Sequence, residues 1–129
     1  MSNVEILKQG YQNFKEGKIN DVVALWQPDI VWDQCIGFPF VHSDGRYTGA
    51  QAIMEGVFAH IPEYYENFNI EITEFVDGRD KVVMVGFYTG VWKPTGKMFK
   101  ANATHTWTLK DGKVSSFFQA VDTAAIVNP

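Results

Sequence analysis

The chain has 129 residues, 46% hydrophobic, 15% aromatic and 20% charged, the composition of one folded domain (1–129) rather than a disordered segment. Eleven basic against fifteen acidic side chains give a net charge of −4 without a Lys/Arg cluster, so no nucleic-acid partner is expected. No apolar run approaches the roughly eighteen residues of a membrane span, the amphipathic start MSNVEILKQGYQNF does not read as a secretory signal, and a single cysteine, Cys35, suits a reducing, cytoplasmic compartment.

Residues 4–16 carry Val4, Leu7, Tyr11 and Phe14 at helical spacing, with Ser2 or Asn3 as cap and Gly17 as stop. A short helix is expected over 21–26, with Val22, Val23, Leu25 and Trp26 inward and Pro28 after its end. Alternation over 30–36 predicts a strand with Trp32, Gln34 and Ile36 on one face. Residues 37–48, rich in Gly, Pro, Ser and Asp, read as a loop. A third helix is expected over 50–61, before Pro62.

Strands follow at 68–76, 81–92, 98–109 and 113–122, with turns at Asp77-Gly78, Pro94-Thr95-Gly96 and Asp111-Gly112. Strand 81–92 is apolar on both faces and should be covered on both. Helices first and strands after predict an α+β domain, with helices on one face of an antiparallel sheet. The 4 Trp, 10 Phe and 5 Tyr either fill a core or line a cavity.

Ala101 to Leu109 alternates most cleanly. Asn102, Thr104, Thr106 and Thr108 share a polar face; Ala101, Ala103, His105, Trp107 and Leu109 share an apolar one. An imidazole is thereby placed among apolar neighbours, where it must find a partner or stay neutral. It is either a hydrogen-bonded core histidine or the working group of a pocket. The last hairpin decides its neighbours. A two-residue turn at Asp111-Gly112 pairs Lys110 with Lys113 and sets His105 opposite Phe118, with Asp122 on the same face. A bulged turn pairs Leu109 with Lys113, so that His105 faces Phe117 with Gln119 diagonal to it.

The segments EGKINDVVALWQPDIVW, GRYTGAQAIMEGVF and HTWTLKDGKVSSFFQAVDT, in this order and spacing, resemble the SnoaL-like polyketide cyclase and ketosteroid isomerase superfamily over residues 4 to 126. The resemblance implies the cone-shaped nuclear transport factor 2-like (cystatin-like) fold: N-terminal helices packed in a curved antiparallel sheet around an apolar cavity. It also implies a homodimer through the outer face of the sheet. Ketosteroid isomerase works with an Asp base and an oxyanion hole of a Tyr and a protonated Asp. By resemblance the base position falls on Gln34, with Asp33 one residue away and facing oppositely. The Tyr position falls near Gly10, beside Tyr11, and the oxyanion Asp position on His105. An amide cannot abstract a proton, so steroid isomerisation by that route is not expected. SnoaL-like cyclases often pair a histidine with an acid on the last strands; His105 matches the histidine, and the acid position is Gln119. Asp122 is a second candidate if a bulge turns it inward, or else a helix cap.

The expected site therefore comprises His105 and Asp122 as catalytic candidates, with Trp32, Gln34, Trp107, Phe117 and Gln119 against a small apolar molecule. His42, His60 and His105 lie in different elements without ligand spacing, and no glycine-rich phosphate loop follows a strand, so no metal and no cofactor are expected. Cys35 reads as a small filler lacking an activating base. Three functions fit this sequence: acid/base chemistry on a carbonyl compound through His105, non-catalytic binding of a small apolar ligand, or a dimeric assembly domain.

Overall fold

The computed structural model describes residues 1–38, 40 and 44–129. Helix α1 (Asn3–Lys15) begins at Ser2, whose side chain accepts the Glu5 N–H, and it buries Ile6 and Leu7. Helix α2 (Ile19–Val23) is one turn long and buries Val22. Strand β1 (Trp26–Asp33) follows, then β2 (Arg46–Thr48), α3 (Ala50–Gly56), a 3-10 turn at Phe58–His60 and the short α4 (Ile61–Tyr64). Strands β3 (Tyr65–Gly78), β4 (Lys81–Trp92), β5 (Lys97–Lys110) and β6 (Lys113–Val121) precede a closing helix, α5 (Thr123–Val127). No helix among the described residues is long and apolar enough to cross a membrane.

The six strands form one sheet in the order β2-β1-β6-β5-β4-β3. It is antiparallel throughout except at β1–β6, which run parallel, a departure from the expected all-antiparallel sheet. The long crossover that a parallel pair requires is the whole chain between β1 and β6.

Several element boundaries differ from the sequence reading. Trp26 starts β1 instead of ending α2, and Pro28 lies inside the strand. Proline is tolerated there because the β1–β6 register is interrupted between Trp26 and Val31, and β2 pairs only with Val31, Trp32 and Asp33. The expected loop 37–48 contributes β2. The third helix ends at Gly56, where a Cβ would stand 2.1 Å from the Tyr47 ring, and Pro62 falls in the first turn of α4 rather than after a helix. The strand expected over 30–36 ends at Asp33; Cys35 has a φ of 69° and Ile36 is exposed. The β3–β4 turn lies at Arg79-Asp80, just past the expected pair, with Gly78 opposite Lys81.

Two buried clusters occupy the concave side. One gathers Trp26, Trp32, Trp107, Phe117 and Val82 under α1, α2 and α3. The other gathers Tyr65, Tyr88, Trp92, Phe99 and Ile126. Strand β5 alternates as its sequence requires, with Ala101, Ala103, His105, Trp107 and Leu109 buried. On β4, Val82, Met84 and Tyr88 are buried inward, while Val83, Val85 and Phe87 remain half-buried on the outer face.

Candidate functional site

The last hairpin has the two-residue turn but neither register expected for His105, because its bulge lies within β6 and not in the turn. Asp111 and Gly112, with φ of 53° and 76°, form a two-residue turn in which Lys110 pairs with Lys113. A bulge at Ser115 then shifts the register by one: Leu109 pairs with Val114, but Thr108 pairs with Ser116 and Trp107 with Phe117. His105 therefore stands directly opposite Gln119. Phe117 and Gln119 point inward, and Phe118 is left on the outer face with nearly half its surface exposed.

This register brings Trp32, Gln34, His105, Trp107, Phe117 and Gln119 into one cavity wall. Trp32 stacks on Phe117 with ring centroids 3.8 Å apart, and Trp107 lies 4.5 Å from the same ring. Asp122 does not join them. It is exposed, and its carboxylate accepts the Ala125 N–H at 3.2 Å as the N-cap of α5, the alternative role considered for it. The cap position satisfies an orphan helix donor and holds the carboxylate away from the cavity. Asp33 is likewise outside: it accepts the Cys35 N–H at 3.1 Å and pairs with Arg46 at 3.4 Å. Burial pushes the Cys35 thiol up, opposing thiolate formation. His42 lies outside the described residues, and among those described no group of three His, Cys, Asp or Glu side chains could hold a metal.

His105 is 3% exposed and both ring nitrogens are engaged. Tyr11 Oη lies 2.6 Å from Nδ1, and Tyr88 Oη bonds to Nε2. Tyr88 also donates to Gln119 Oε1, Gln119 Nε2 donates to the Gln34 carbonyl at 3.1 Å, and the Trp32 indole donates to Gln34 Oε1 at 2.7 Å. The Trp107 indole donates to Tyr11 Oη at 2.8 Å.

The donor inventory fixes the protons. Gln119 spends an N–H on a carbonyl, so its oxygen faces Tyr88 and can only accept. The Tyr88 proton is spent there, and its oxygen must accept the Nε2–H of His105. Nδ1 is then a bare lone pair that accepts the Tyr11 O–H. His105 is thus a neutral imidazole in a single tautomer. Burial agrees, lowering its pKa from 6.5 to about 3. Burial also pushes the phenols of Tyr11 and Tyr88 up, so both remain protonated donors.

The cavity itself measures about 80 Å³, and among the described residues that line it there is no Asp, Glu, Lys or Arg. A second, more polar cleft of about 340 Å³ lies between α1 and β3, flanked by Lys8, Gln12 and Lys15. The two spaces share Tyr11, Phe14, Phe68 and Ile70 as a common wall.

Sequence reasoning missed Tyr88 and Tyr65, and placed Tyr11 on the apolar face of the first helix, beside a matched position, without naming it for the site. Tyr88 has the same strand parity as Met84, which pairs with His105. Between them on this face lie Gly86 and its partner Ala103, two residues with almost no side chain. That gap is what lets the Tyr88 hydroxyl reach the imidazole, and the pattern was present in the sequence.

A curved sheet with an apolar cavity and a buried histidine on its concave side defines an NTF2-like fold. The model of the SnoaL-like domain matches residues 7–117, and the chain belongs to that family. The solved structures agree on the fold. An NTF2-like protein from Burkholderia thailandensis superposes with a TM-score of 0.89 at 28% identity, covering 97% of this chain and 94% of its own. One from Burkholderia xenovorans gives a TM-score of 0.82 at 28% identity, with coverage of 96% and 92%. TerC, co-crystallised with polyporic acid, gives a TM-score of 0.83 at 26% identity, with coverage of 95% and 93%. No curated protein sequence matches the chain significantly.

Proposed function

We propose that the chain binds a small, neutral, largely apolar molecule in the central cavity and does not transform it by isomerase chemistry. The observation that carries this reading is the proton inventory of the wall. Among the described residues the cavity lining holds no carboxylate, and its one imidazole, His105, is neutral with both nitrogens already bonded. A general base needs a free lone pair and a pKa near the working pH, whereas His105 offers neither. Gln34 and Gln119 can orient a ligand but cannot move a proton. The volume favours a compact ligand, since pockets for drug-sized molecules measure roughly 300–1,000 Å³. The co-crystal of TerC with polyporic acid supports a small organic molecule as the ligand class.

The test is a ¹⁵N-resolved NMR titration with compact cyclic and aromatic probes, combined with analysis of each probe after long incubation. Saturable shifts at the Trp32 and Trp107 indoles without product are expected. Product formation that disappears in His105→Gln would replace this reading with acid/base catalysis through His105. We also propose self-association through the outer face of the sheet, where Val83, Val85 and Phe87 on β4 stay half-buried and Phe118 on β6 is 48% exposed.

A further inference from the structure

We infer that Tyr65 is the polar anchor of the cavity, its hydroxyl donating a hydrogen bond to a carbonyl, ether or phenol oxygen of a neutral ligand. The inference rests on the binding reading above and narrows it to a ligand class. Tyr65 opens β3 opposite Trp92, is 4% exposed, and lines the cavity. Its ring is fixed between Phe68, Trp92 and Phe99, at centroid distances of 5.0, 5.2 and 5.6 Å. Its hydroxyl is buried and has no hydrogen-bond partner among the described residues. Buried hydroxyls are nearly always bonded, and an unpaired one carries a desolvation cost that a partner removes.

The other two tyrosine hydroxyls lining this cavity are committed, Tyr11 between Trp107 and His105 and Tyr88 between His105 and Gln119. A ligand can therefore bond to Tyr65 without dismantling the chain that fixes His105. The ligand's charge follows from the wall. With no Lys or Arg among the described residues that line the cavity, an anion would be desolvated without a counter-ion. Burial pushes the Tyr65 phenol up, which keeps it a donor and calls for an acceptor on the ligand.

Cyclohexanone and methylenecyclohexane, which share a shape and differ by a carbonyl oxygen, are titrated into the wild-type protein and Tyr65→Phe, with affinities read by NMR. The variant keeps the ring and should be at least as stable as wild type before ligand is added. Its affinity for the ketone should fall roughly three- to tenfold relative to its affinity for the alkene. If both probes bind and their affinity ratio is the same in the two proteins, the anchor is refuted while the cavity reading stands. A lower urea midpoint for the ligand-free variant would also refute it, because the hydroxyl would then be bonded within the protein. If neither probe perturbs the cavity resonances of wild type, the binding reading fails and takes the anchor with it.

Discussion

His105 should make this protein acid-sensitive in a pH range where carboxylates contribute little. The unfolded chain takes up a proton on an ordinary imidazole near pH 6.5, whereas the native chain does so only near about 3. In between, the unfolded state binds more protons, so stability is complete above about pH 6.5 and is lost as pH falls towards the folded value. From about pH 8 to about pH 5, a shift of this size costs about 2 kcal/mol through His105 alone. For a domain of this length that is a fall in Tm of roughly 6–10 °C. Urea unfolding of wild type and His105→Gln at both pH values isolates the contribution, because the remaining histidines and carboxylates cancel in the double difference. The stability gap between the two proteins should change by about 2 kcal/mol in favour of the variant at the lower pH. Imidazole ¹⁵N shifts should show an Nε2–H tautomer throughout. A flat double difference, or a His105 titration near pH 6.5, would refute the proton assignment and with it the argument against a catalytic base.

Tyr88→Phe removes the middle of the hydrogen-bond chain and leaves the His105 Nε2–H and Gln119 Oε1 unpaired; urea unfolding should show a loss of roughly 2–4 kcal/mol. Asp122→Ala should cost about 1 kcal/mol through the lost α5 cap and leave the affinity of any cavity ligand unchanged, as measured in the same NMR titration. Gly86→Ala drives a Cβ to within 2.1 Å of the Glu71 carbonyl oxygen, where only backbone can yield, and should destabilise by about 2 kcal/mol or more in urea unfolding. If the outer face mediates self-association, wild type should sediment as a dimer and Phe118→Lys as a monomer with an unchanged circular dichroism spectrum.

Much of the architecture was legible because period and punctuation agree over β3, β4, β5 and β6. The clean alternation of Ala101–Leu109 identified the buried face; parity placed Trp32 with Gln34 and His105 with Trp107, and the family resemblance put the two pairs in one wall. The boundaries around β1 were not legible, since Pro28 looks like a helix terminator until one knows that no ladder bond is required of it. The site was harder. Asp122 has a residue type suited to catalysis but a position suited to a cap, and local sequence cannot weigh one against the other. Tyr11, Tyr88 and His105 come from three elements separated by 77 residues and 17 residues in the chain, and only the assembled register brings their hydroxyls to one ring. Tyr65 fell outside the expected strand and offered no local signal.

The bulge at Ser115 makes the chemistry of the cavity wall depend on strand register as much as on residue identity. If Ser115 paired regularly with Thr108 instead of bulging, Phe118 would stand opposite His105, and an aromatic ring would replace the Gln119 amide with no substitution at either position. A deletion of Ser115 would remove the bulge and leave Gln119 in place, whereas a change that straightens β6 with Ser115 retained would turn Phe118 inward. Ser115 does not itself line the cavity, yet the way it pairs decides which face of β6 does.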